Sequence, residues 1–290
     1  MRNMSTIFNK IKEYWALIKS LQTALLVLTG FSGFVSAQCP VNNLTAVVGV
    51  VGSLLLTISG STILNMVWDQ DIDAKMNRTK HRPLPSGLID PKKAWIVGMS
   101  ISALGLLWAI YLNLLFALIV FAGLFFDVVV YTIWLKRKTA WSIVWGGISG
   151  GMPILAGRAL GVGAIDAVGI LFMFGILLWI PTHMLTFSIK YADDYVAAGV
   201  PTFPSVYGVG TTRLIISISS FFAASSMLLS GIMMGLEGGY LRLILVLAVG
   251  LSGLAMSTIF TASERINFGL FKYASLFMMT SMFMVILGAR

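Results

Sequence analysis

The sequence predicts an all-α polytopic membrane protein, a bundle of about nine transmembrane helices, on three observations. The 290-residue chain is 58% hydrophobic and only 11% charged, less than half the roughly 25% charge of a soluble domain. Its apolar runs repeatedly reach the ~20 residues that cross a bilayer's hydrocarbon core. Those runs do not alternate polar with apolar residues. This selects helices over the closed barrel, the other architecture that satisfies its own backbone in lipid.

Hydropathy places the spans near 21–38, 44–65, 94–112, 114–134, 141–161, 166–189, 212–234, 240–260 and 268–288. Ahead of them, Lys10, Lys12 and Lys19 surround Tyr14, Trp15 and Ile18. Residues 1–20 therefore read as an amphipathic lead-in at the membrane interface. They lack the compact apolar core and small-residue cleavage site of a signal peptide. The single cysteine, Cys39, excludes an internal disulfide and a cysteine metal cluster. Threading the chain through nine spans puts all basic residues on one side except Arg158, Arg242 and Arg290. That side, with the N-terminus, is expected to be cytoplasmic. The net charge of +9 then follows from topology and anionic headgroups, with no nucleic-acid partner required.

Two long polar links, 66–93 and 190–211, fall on the cytoplasmic side after the second and sixth spans. Their spacing of four spans suggests two four-helix halves plus one helix, within a single domain over 1–290 whose active-site loops are these links. At the cytoplasmic end of the second helix, running into the first link, Asn65, Asp69 and Asp73 recur every four residues and share one helix face, while Asp71 points away. Carboxylates stacked ~6 Å apart along a helix repel one another unless a cation joins them. With a neutral amide beside them they suit Mg²⁺, which keeps several waters and shares itself with phosphates. Lys75, Arg78, Lys80 and Arg82 follow at once. An acidic face beside a basic loop fits a Mg²⁺–diphosphate ligand. In the second link, Asp193 and Asp194 close a span just after Lys190. Two such clusters on one membrane face are suited to clamp one diphosphate.

Asn65-x₃-Asp69-x₃-Asp73 followed by "RTKHRPLPSG" resembles the first signature of the UbiA superfamily of intramembrane prenyltransferases. The second, "KYADDYVAAGVPTFP", places Tyr191 and Tyr195 where quinone-type members carry aspartates, and is similar to the haem O synthase branch. "YTIWLKRKTAWSIVWGGISGGMPILAG" (131–157) and His183 agree with that branch, whereas Thr202-Phe203 and Arg158 depart from it. The resemblance implies transfer of a farnesyl group from an isoprenyl diphosphate, farnesyl diphosphate, to a vinyl group of haem b, giving haem O. Haem b would be substrate rather than cofactor, Mg²⁺ the cofactor and a terminal-oxidase assembly a candidate partner. Asn65, Asp69, Asp73, Asp193 and Asp194 would hold the metal, with those four aspartates and Lys190 as the catalytic set. Lys75, Arg78, Arg82, Lys136 and Lys190 would bind diphosphate. Tyr131, Tyr191 and Tyr195 are candidate wall residues for a carbocation.

Asp127, inside the fourth span, is a functional candidate by its depth. It has two readings: facing the cavity, or capping a buried polar cluster with Tyr131, one turn on. His183 is either an axial ligand for the acceptor's iron or a histidine bonded to a neighbouring helix. The glycines of "GGISGG" (146–151) are expected to permit close helix packing. Two rival functions stay open: a prenyltransferase acting on a quinone precursor or a glycerol-phosphate lipid, and a transporter using the intramembrane acids as an ion path.

Overall fold

The structure, a computed structural model, describes residues 12–37, 43–261 and 263–289. Arg2, Lys10, Cys39 and Arg290 lie outside the described residues. Residues 12–17 are helical, then come α1 (Ser20–Val35), α2 (Leu44–Trp68), α3 (Gln70–Lys75), α4 (Pro91–Leu112) and α5 (Leu114–Phe125). α5 runs on into a π-helix, Phe126–Leu135. There follow α6 (Ser142–Val162), α7 (Ala167–Lys190), α8 (Ala192–Ala197), α9 (Phe203–Met233), α10 (Gly238–Phe260) and α11 (Glu264–Gly288). The starts are written in the sequence. Asn43, Asp90, Asn113 and Asp166 each cap a first turn, their side chains accepting from the backbone N–H of Ala46, Lys92, Phe116 and Gly169.

Among the described residues, seven helices are long and apolar enough to cross a membrane. α1 is apolar but has 16 residues. α6 has 21 and is not among the seven, its apolar character diluted by glycines. All nine expected spans thus exist as helices. The two halves echo one another: α2 and α7 are each followed by a six-residue helix, α3 and α8. α2 packs most extensively on α4, and α7 on α9. One apolar core joins Phe34, Val50 and Phe116 of the first half to Ala156 of α6. A second joins Phe172, Ile216, Leu251 and Phe277.

Two expectations change. α9 begins at Phe203, not near 212, so the second loop is shorter than expected. Thr202 and Ser205 form a capping box and Pro204 occupies the first turn, which together start a helix. Gly208, at φ 80°, kinks it. The lead-in, expected at the interface, packs into the fold over its described residues. Leu17 is fully buried against Ile63, Met66, Leu84 and Ile89, which docks this segment on α2 and the first loop, while Trp15 stays exposed.

Arg158, at the other end of the bundle, forks onto Asp166 at 2.7–3.0 Å and donates to Ser36 O and Oγ at 3.0 and 2.9 Å. That Arg158 pair holds the Asp166 carboxyl below its usual range, offsetting its partial desolvation. The far-side cation is therefore neutralised within the fold.

The glycines of α6 do allow close approach. A Cβ on Gly151 would meet Met173 O of α7 at 2.8 Å, and one on Gly146 the Tyr131 ring at 2.9 Å. A Cβ on Gly157 would collide with the Gly30 carbonyl of α1. Gly157→Ala is therefore expected to cost about 1–3 kcal/mol or more through overpacking, read as a lower unfolding temperature in detergent. Gly253→Ala, where a Cβ meets open space, should be neutral or slightly stabilising. Equal behaviour of the two variants would contradict this packing.

Candidate active site

α2 and α3 are nearly continuous through Asp69, whose N–H still donates to Asn65 O while Asp73 N–H donates to Asp69 O, at 2.9 and 2.8 Å. Asn65, Asp69 and Asp73 consequently form one buried stripe. Asp71 points the other way as expected: its side chain is 59% exposed and paired with Arg137, which holds the carboxyl below its usual range. Each buried acid has a cation from a different segment. Lys136, just beyond the π-helix, pairs with Asp69, and Arg82, from the loop, with Asp73 at 2.8 Å. Asp69 Oδ1 is buried and without a hydrogen-bond partner.

The π-helix decides between the two readings of Asp127. Its i→i+5 bonding, seen in Lys136 N–H donating to Tyr131 O at 2.8 Å, shifts the register by one residue. Thr132 rather than Tyr131 therefore stacks on Asp127, its hydroxyl reaching Asp127 O at 2.9 Å and Asn65 Oδ1 at 2.9 Å. The Asp127 carboxylate accepts from Ser61 and from Asn65 Nδ2, the latter at 2.7 Å. Asp127 thus belongs to a polar cluster, but one that fixes the Asn65 amide and leaves Tyr131 out. Ser61 was missed from sequence although it extends the every-fourth-residue stripe upward by one turn.

The second loop docks onto the first. Asp194 accepts from the backbone N–H of Asn77 and Arg78 at 3.1 and 3.3 Å, while Ile72, Met76, Ala198 and Val200 form a small apolar cluster against Tyr195. Burial pushes the Tyr195 phenol up, so it stays protonated. Asp193 is exposed on α8, and Lys75 is exposed on the far face of α3 from Asp73. The structure does not bring these two, or Lys190, to the acidic stripe. The Lys190 ammonium instead lies 3.7 Å from the Phe268 ring centroid of α11. Arg78 covers Phe187 and Tyr191 at 4.9 and 5.5 Å. His183 is sandwiched between Trp179 and Phe271, at 4.8 and 4.2 Å between centroids.

Lys19, expected at the membrane interface, belongs to this end of the site. It has the only positive φ outside glycine among the described residues, 46°. Burial, then the neighbouring Arg82 and Lys136, lower its pKa to about 8 against the pull of Asp69 and Asp127. The left-handed backbone is the local signature of a constrained residue, and sequence alone does not display it.

Among the described residues no three acidic, histidine or cysteine side chains are already gathered around a common point. The donor set nevertheless fits a hard cation: a buried carboxylate oxygen without a partner, a second carboxylate and an oriented amide oxygen, all oxygen ligands. A helical membrane bundle with a paired acidic and basic face at one end sets charged side chains beside an apolar interior. Residues 25–279 match the UbiA prenyltransferase family, and the chain belongs to that family. It is 36% identical over 263 residues to the protoheme IX farnesyltransferase of Pyrobaculum islandicum, covering 90% of this chain and 93% of that one. Its fold is similar to a structure described for digeranylgeranylglyceryl phosphate synthase, at TM-score 0.80, 19% identity and coverage of 97% and 99%. It is also similar to a UbiA homolog from Archaeoglobus fulgidus bound to DMAPP and Mg²⁺, at TM-score 0.68, 17% identity and coverage of 95% and 99%.

Lys136 and Asp69 are largely buried, so removing one partner strands a charge. Lys136→Met is expected to destabilise the metal-free protein by about 3–5 kcal/mol, while Asp69→Asn in the same background restores most of the loss. Thermal unfolding of the two variants in detergent measures this. A single variant as stable as the wild type would contradict the pairing.

Proposed function

We propose that this protein transfers the farnesyl group of farnesyl diphosphate to a vinyl group of haem b, forming haem O and releasing pyrophosphate. The observation that carries this reading is the similarity, over nine-tenths of the chain, to a protoheme IX farnesyltransferase. Tyr191 and Tyr195, where the quinone-type pattern has aspartates, support the same branch. The basic loops and N-terminus are assigned to the cytoplasmic side, and the whole chain to one domain.

Asn65, Asp69 and Asp73 would hold Mg²⁺, with Asp194 closing the site from the second loop. When bound, Mg²⁺ offsets the charge that collects on a leaving pyrophosphate. The chain's own residues prepare the site. Lys136 and Arg82 neutralise the acids and would turn to phosphate oxygens once the acids have another partner, so that charge is conserved by exchange. Arg78, Lys75 and Lys190 extend the basic surface, and Lys19 adds a poorly solvated cation. The apolar cluster of Ile72, Met76 and Val200 keeps water from the floor of the site. In the reaction the allylic C–O bond breaks and its electron pair leaves with pyrophosphate. The vinyl carbon then forms the new C–C bond, and the resulting cation takes a hydroxyl from water, whose proton passes to solvent. Tyr131, Tyr191 and Tyr195 offer ring faces to the positive charge.

Pyrophosphate release that requires both farnesyl diphosphate and haem b tests the reading. Asp69→Ala and Asp73→Ala should each lower turnover per folded molecule by on the order of 10²–10³, beyond the loss of stability that stranding Lys136 or Arg82 brings; near wild-type turnover in either would sink the metal-clamp assignment. Asp127→Asn is expected to raise the half-saturating Mg²⁺ concentration by roughly 10–100-fold, as for residues that orient a ligand. An unchanged Mg²⁺ dependence would reduce Asp127 to packing.

A further inference from the structure

α11 carries none of the motifs read from sequence, yet it supplies two of the groups that meet the His183 ring, Phe271 and Ser275. Trp179 Nε1–H donates to Ala274 O of α11 at 2.8 Å, which fixes one face of the imidazole, and Phe271 of α11 covers the other. Ser275 Oγ stands 3.2 Å from His183 Nδ1 and 3.0 Å from Phe271 O. A serine that gives its hydrogen to this carbonyl accepts from Nδ1–H, and the lone pair then falls on Nε2, the arrangement by which a second partner prepares a histidine to ligate a metal.

The same helix carries a cation one turn nearer the loops. Lys272 lies 4.9 Å from the Phe268 ring and Lys190 lies 3.7 Å from it. Among the described residues neither ammonium lies within ion-pair distance of a carboxylate. Phe268 is stacked nearly parallel on Phe271, at 5.7 Å and 7°, so aromatic surface is continuous from these cations to the imidazole. It continues to the donor side as well, since Phe271 is 5.8 Å from Phe187, which Arg78 covers. An imidazole whose Nδ1 is met by Ser275, the edges of a stacked aromatic run and two cations outside ion-pair distance of any described carboxylate match a metallomacrocycle with carboxylate substituents.

Resting on the function proposed above, we infer that α11 completes the acceptor subsite: Ser275 is a positioning residue that presents His183 Nε2 to the haem iron, and Lys272 pairs with a propionate. Ferric haem b titrated into the full-length protein in detergent, without prenyl donor, reads this by its Soret band and electron paramagnetic resonance. His183→Ala should lose the histidine-ligated spectrum. Ser275→Ala should weaken haem binding roughly 10–100-fold and alter that spectrum, while Ser275→Thr, which keeps the hydroxyl, restores both. Lys272→Gln should raise the KM for haem b roughly 2–5-fold, the scale of a rim ion pair, and leave the KM for farnesyl diphosphate unchanged. Farnesyl transfer to haem with wild-type binding and spectrum in Ser275→Ala would overturn the subsite alone. A wild-type protein that neither binds nor farnesylates haem, but releases pyrophosphate with another acceptor, would overturn the subsite and the proposed function together.

Discussion

Burial of acids at the end of α2 is the constraint on which the rest of this end of the molecule depends. A carboxylate removed from water costs several kcal/mol unless a cation or hydrogen bonds meet it. Asp69 and Asp73 are both buried, and neither is served by its own helix. Their cations come from the end of the π-helix and from the first loop. Satisfying two charges thus draws three separate segments together, and Asp194, capping the backbone of that loop, adds a fourth.

The same pairing lets the acids stay buried: Lys136 and Arg82 neutralise them, and among the described residues one oxygen of Asp69 keeps no hydrogen-bond partner. In the proposed function a metal–diphosphate ligand, which carries both signs, would replace each pair by two new ones. Asn65 behaves differently from its neighbours on the stripe. Its amide is held at both ends, by Asp127 and by Thr132, so its orientation is set within the fold. The π-helix, costly in an ordinary span, is what aligns those two partners, in keeping with the occurrence of π segments at functional sites.

Much of this was legible in the residues and some was not, for identifiable reasons. The stripe of Asn65, Asp69 and Asp73 was readable because an α-helix repeats every 3.6 residues, and the break at Asp69 does not disturb its hydrogen-bonding. The partner of Asp127 was misread because a π-helix changes the spacing from four to five, which no composition announces. The start of α9 was hidden because Thr202, Pro204 and Ser205 serve equally as turn formers and as a helix start. Lys19 looked like an interfacial lysine, since nothing local records its left-handed backbone. The environment of His183 was out of reach because Phe271 and Ser275 follow it by more than 80 residues, on a helix whose own sequence is simply apolar.

The most direct measurement incubates the purified protein in detergent with Mg²⁺, farnesyl diphosphate and reduced haem b, then follows the porphyrin by mass spectrometry. The account predicts haem carrying a hydroxyethylfarnesyl group, formed with Mg²⁺ and absent after chelation by EDTA. Unmodified haem from a folded sample that binds the diphosphate, or product formed equally well in EDTA, would contradict it.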